Sequence, residues 1–271
     1  MNGAAVSLPE AVTVEGIMGH LNSLYQIATI GGRNSRSVRN NYNQSAEYVM
    51  EQLRPYCNPW TQHLVVPVHG EEERPTLSLV SPHQTVFQYG VDFAGMRYGG
   101  GGDFNITARV VEVMRGCTAS DFAGFPAGSI ALILEGAECE LVQRAMLAED
   151  FGAVAILFYN QQARTALLTT RVRFVEWKEG DRLVQKPCLS ISNVMGKLLA
   201  EINPVVSLTA NMLLTLDHTY NVLCESASGS KTDIVMLGAH LGILIYFISF
   251  GSCFFSIEAG GLTPTPPPIL P

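Results

Sequence analysis

Residues 129–158 read SIALILEGAECELVQRAMLAEDFGAVAILF, and this stretch decides the fold class. Ser129 to Leu134 is a short apolar run of the kind buried on both faces of a sheet. Glu138 to Phe151 follows, with Leu141, Val142, Ala145 and Ala148 on one side of a helical repeat, and Gly152 ends it. Ala153 to Phe158 reads as a second buried strand. A strand, a helix and a strand in that order make a parallel unit with a right-handed crossover. The fold class is therefore expected to be α/β.

The flanks extend this unit. Thr107 to Val113 and Leu189 to Ser192 read as strands, and Val194 to Ile202 as a helix closed by Pro204. Asn221 to Glu225 and Ile234 to Leu237 are strand-like, joined through the turn Ser228-Gly229-Ser230. Towards the N-terminus, Thr13 can cap a helix whose Ile17, Leu21, Leu24 and Ala28 share one face, stopped by Gly31-Gly32. Arg33 to Asn43 is a polar loop. Ser45 can cap a second helix with Ala46, Val49, Met50 and Leu53 inward and Pro55 at its end. Leu64 to Val66, Thr76 to Val80 and Thr85 to Tyr89 read as strands, and Glu71-Glu72-Glu73 as a solvated turn. Gly99 to Gly102 lacks the spacing of a phosphate-binding loop and reads as a flexible linker.

Composition narrows the function. Apolar residues make up 47% and charged residues 15%, enough apolar material for a packed core. Net charge is -7 with no Lys/Arg cluster along the sequence, which argues against a nucleic-acid surface. The six cysteines include no CxxC pair, so a zinc ribbon is not expected. Two sequons, Asn43-Gln-Ser and Asn105-Ile-Thr, lean towards a secretory glycoprotein. The opening MNGAAVSLPEAVTVEG has no basic start and no apolar core, so it does not read as a signal peptide, and the compartment stays open. Thr263-Pro-Thr-Pro-Pro-Pro reads as an extended tail.

In order, these segments resemble one family: aminopeptidase Y-type zinc metallopeptidases with an inserted protease-associated (PA) domain. The helix pair and its loop, HLNSLYQIATIGGRNSRSVRNNYNQSAEYVMEQL, carry the first match. DFNITARVVEV, GCTASDFAGFPAGSIALILEG, AMLAEDFGAVAILFYN and PCLSISNVMGKLL carry the second and resemble the inserted domain. TYNVLCESASGSKTDIVMLGAHL resembles the return into the peptidase sheet. The resemblance implies a disulfide between Cys117 and Cys139; two unpaired buried thiols are the alternative. It also places an arginine where this chain has Glu135.

A two-zinc peptidase needs several ligands in one cleft and a carboxylate base to take the proton of the attacking water. The resemblance makes His240, in Gly238-Ala239-His240-Leu241, the first metal ligand, expected at the end of a sheet strand. The family continues with an orienting Asp, where this chain has Gly242. Gly242 to Ile257 contains no Asp, Glu or His. The other histidines (His20, His63, His69, His83 and His218) form no HExxH pattern, and surface or packing roles are expected for them.

The chain is thus expected to be a truncated family member without activity of its own: zinc belongs to the family, but is not expected to be bound here. Asp codons begin with G, so an intron starting after that base would be read as Gly242. The expected division is a peptidase part over 1–89, the PA domain over 90–205, return strands over 206–241 and an unrelated tail over 242–271. Two alternatives stand beside this: a PA-domain module binding peptides or proteins, and a single membrane span through 234–257.

Overall fold

The strand-helix-strand stretch forms as the sequence predicts, inside a mixed α/β fold. A computed structural model describes residues 11–32, 34–136, 138–160, 167, 171–227, 232 and 234–242. Chain order is α1 (Val14–Thr29), α2 (Tyr42–Leu53), β1 (Trp60–Ser81), β2 (Thr85–Val86), β3 (Phe93–Gly95), β4 (Gly102–Val113), β5 (Ile130–Leu134), α3 (Leu141–Asp150), β6 (Ala155–Tyr159), β7 (Cys188–Ile191), α4 (Asn193–Ile202) and β8 (Val205–Leu223). Sheet order is β2-β1-β8-β4-β5-β6-β7-β3. The chain divides into two compact units. One holds the described residues up to Val65 and those from Asp217 onward; the other is Val66–Leu216.

In the second unit, β4, β5, β6 and β7 pair in parallel, with Ile130 opposite Ala155 and Ile156 opposite Cys188. Strand alternation sends Ile130, Leu132, Leu157 and Leu189 into one core with Leu199 of α4. Ala131, Ile133, Ile156 and Phe158 enter a second core with Val142, Ala145 and Ala148 of α3. Burial on both faces explains why these strands read as continuous apolar runs. Each such Leu or Ile side chain contributes roughly 1.5–3 kcal/mol on burial. Ser192 caps α4 by accepting the N–H of Met195, and Asn203 ends it in the left-handed region at φ 43°. α4 approaches β6 at Gly196, where a Cβ would run into the Tyr159 ring.

Four readings need correction here. Leu64–Val66, the acidic turn and Thr76–Val80 are one strand, β1. Its alternation puts Glu71 and Glu73 on one side and Glu72 on the other, which relieves the repulsion expected of a turn. The strand expected over Thr85–Tyr89 shortens to Thr85–Val86. Gly99 to Gly102 is not a flexible linker. Side chains at Gly99, Gly100 and Gly101 would strike Cys188, the Lys186 carbonyl and Leu214 respectively, so the run is a place of close packing. Val205–Leu223, unread as a strand before Asn221, is the long strand β8, buried at Val206, Leu208, Ala210 and Met212. That alternation was a usable signal.

In the first unit, Thr13 caps α1 by accepting the Gly16 N–H over 3.1 Å. Of the predicted apolar face only Ala28 is buried; Ile17 and Leu21 are 48% and 52% exposed. α2 begins earlier than predicted, after Asn41 in the left-handed region at φ 56°. Ser45 lies inside the helix and donates to the Asn41 carbonyl, so it is not the cap. No helix among the described residues is long and apolar enough to cross a membrane. The Pro-rich tail, the turn at 228–230 and most of the 234–257 run lie outside the described residues.

Candidate functional site

The candidate metal ligand His240 belongs to the first unit. Its motif was expected at the end of a strand over Ile234–Leu237. Instead Val235 makes an isolated bridge, and Ile234, Val235, Met236 and Leu237 are 40%, 67%, 45% and 72% exposed. Among the described residues this apolar run joins no strand ladder, and the strand reading does not hold there. His240 itself is exposed and outside any regular element.

The motif is nevertheless held in place by the polar loop before α2. The Arg36 guanidinium donates through Nη1 to the Leu241 carbonyl over 2.7 Å. Burial pushes that guanidinium below its ordinary pKa. The Asn41 side chain donates to the carbonyls of Ile30 at 3.0 Å and Ser35 at 3.2 Å, which fixes the loop against the end of α1. The Tyr42 hydroxyl donates to the Tyr220 carbonyl at 2.6 Å, and burial raises its pKa. Arg39 pairs with Asp217 at 3.0 Å, and a disulfide joins Cys57 to Cys224. That second bridge had no sequence signal: its cysteines are 167 positions apart.

Around His240 the described residues assemble no two-metal donor set. Among the described residues, no three of the His, Cys, Asp and Glu side chains converge on one point. His20 meets the Tyr48 hydroxyl at 2.6 Å, and His63 lies against the Tyr220 ring at 5.7 Å. Both are packing contacts of the kind expected.

In the second unit, the disulfide Cys117–Cys139 forms with a Cα separation of 5.8 Å. Asp121 accepts the N–H groups of Thr118 at 2.8 Å and Cys117 at 2.9 Å. The Thr118 N–H, chiefly, holds its carboxyl below the ordinary range. Beside this turn Arg144 of α3, 1% exposed, donates to the carbonyls of Arg115 at 2.7 Å and Leu134. Burial lowers its pKa, opposed by the charges of Glu135 and Asp121. The helical pattern missed Arg144, because a charged residue beside an apolar stripe reads as solvated. Cys188 is buried and unpaired, and burial raises its thiol well above the ordinary value, so it is inert.

This central unit matches a known family, the PA domain, over residues 106–199. The chain carries a PA domain and is related to aminopeptidases over most of its length. An aminopeptidase of Pseudomonas aeruginosa is 27% identical over 260 residues, covering 87% of this chain and 45% of that protein. A probable leucine aminopeptidase 2 of Aspergillus fumigatus is 28% identical over 141 residues, 50% of this chain and 27% of its own length. The chain thus spans about half the length, or less, of the curated relatives it matches. Among solved structures, an aminopeptidase from Aneurinibacillus sp. strain AM-1 superposes with a TM-score of 0.56 at 18% identity. That match covers 80% of this chain and 50% of the other, and it supports the likeness of fold.

Proposed function

We propose that the chain descends from a zinc aminopeptidase and that these 271 residues, by themselves, do not hydrolyse peptides. One observation supports this: His240 is exposed, and no three metal-binding side chains among the described residues share a site. A single imidazole supplies one of the several ligands a two-metal centre requires. The aminopeptidase pattern is left between Leu241 and Gly242. In this reading the peptidase-derived parts are 1–89 and 206–241, the PA domain is 90–205, and 242–271 stands outside the pattern.

The retained role is binding. The PA match lies in a unit with its own two-sided core, and PA domains generally serve protein or peptide interaction. The purified chain assayed with zinc on aminoacyl p-nitroanilides is expected to show no chelator-sensitive release. Turnover abolished both by a chelator and by His240→Ala would overturn the inactive reading.

A further inference from the structure

We propose that the second unit carries a binding site for carboxylate-bearing peptide segments, centred on Tyr98 and built from His69, Arg97, Arg171 and Arg173. The proposal rests on the reading of the PA domain as the part that binds.

Contacts distant in sequence assemble this cluster. Arg97 and Arg171 pair across an isolated parallel bridge, and the Val172 N–H donates to the Arg97 carbonyl over 2.8 Å. The Arg173 guanidinium stands 4.8 Å from the centre of the Tyr98 ring, and the His69 ring packs on the same tyrosine at 4.3 Å. Tyr98 sits in the left-handed region at φ 64°, a costly conformation for a tyrosine and one that recurs at ligand clamps.

The cluster brings together arginines from two distant segments. The described stretch 171–175 contains Arg171 and Arg173 and no Asp or Glu, in a chain of net charge -7. Among the described residues neither Arg171 nor Arg173 makes an ion pair. Arg173 donates to the carbonyls of Phe174 at 2.9 Å and Val175 at 3.4 Å, both uncharged, and its buried Nε meets no acceptor. The positive field is felt locally: His69 is held to about 4, first by burial and then by the charges of Arg97 and Arg173.

A guanidinium fork matches a carboxylate with two parallel hydrogen bonds, and the tyrosine face offers apolar contact beside it. A carboxylate would offset the repulsion among the arginines. A long polyanion fits worse, because the surrounding chain is acidic and repels it.

The test uses the full chain and fluorescein-labelled hexapeptides rich in Asp or, as the control, in Asn, followed by anisotropy. The Asp peptide is expected to bind and to weaken with added sodium chloride, with the Asn peptide at least about tenfold weaker. Arg171→Gln with Arg173→Gln should weaken the Asp peptide by roughly the same factor, with an unchanged circular dichroism spectrum. Should that variant misfold, the salt series and the Asp/Asn comparison on the native chain decide. Equal affinity for both peptides would overturn the carboxylate site and leave peptide binding by the PA domain standing. Failure of the native chain to bind either peptide would overturn both. An oligonucleotide displacing the Asp peptide at lower concentration than unlabelled Asp peptide would also sink the proposal.

Discussion

The Arg36 guanidinium donates to the Leu241 carbonyl across 205 positions of sequence, so the polar loop before α2 holds the backbone of the residue next to His240. The loop thus positions the motif, although among the described residues no group of metal-binding side chains gathers at it. Arg36→Ala should remove a charged hydrogen bond worth about 1–3 kcal/mol. Hydrogen exchange is expected to speed up at Gly238 to Leu241 and to stay unchanged in α3 and α4. Unchanged exchange at Leu241 would show that the contact holds nothing.

Arg144 closes the turn carrying the Cys117–Cys139 disulfide by donating to two carbonyls from within the core. Arg144→Met keeps the apolar stem and leaves those acceptors unsatisfied, a loss of roughly 3 kcal/mol in urea unfolding. Arg144→Lys should recover part of this at most, because one ammonium cannot reproduce the guanidinium fork. Full stability in Arg144→Met would place the anchoring elsewhere.

His69 supplies a pH dependence. Its folded pKa is lowered to about 4 from 6.5, so the native state favours the neutral ring and the unfolded chain binds the extra proton. Its contribution is whole above about pH 6.5 and is lost progressively as pH falls towards about 4. Urea midpoints measured across that window should decline in the native chain and decline less in His69→Asn. A parallel decline in both would assign the effect to other groups.

Gly100 lies at φ 62°, where a Cβ would meet the carbonyl of Lys186 and, at 2.9 Å, the nitrogen of Pro187. Gly100→Ala should cost more than about 3 kcal/mol, because backbone strain and steric overlap add. Gly124, at φ 79° with open space around it, is the control: Gly124→Ala should cost only about 1–2 kcal/mol. Similar thermal midpoints for the two variants would return the glycine run to the flexible linker the sequence suggested.

Much of the second unit was legible in its sequence. The runs at 130–134, 155–159 and 188–191 are buried on both faces, so composition alone marks them as strands. Thr13 read correctly as a cap because capping is local chemistry, whereas Ser192, read as the end of a strand, caps α4. Ser45 misled because an asparagine in the left-handed region set the helix start instead. The acidic segment 71–73 misled because β1 carries it through as an ordinary exposed strand.

What the sequence determined by itself was the α/β class, the strand-helix-strand unit and the likeness to aminopeptidases with a PA domain, since these rest on periodicity and ordered short motifs. Only the tertiary structure decided that Gly99 to Gly102 is packed, that Arg144 is buried and that Arg97 and Arg171 adjoin. It also decided that His240 stands exposed with no group of metal-binding side chains described around it. Each of these depends on contacts between distant residues, and local spacing carries no information about what the fold brings to a side chain from elsewhere.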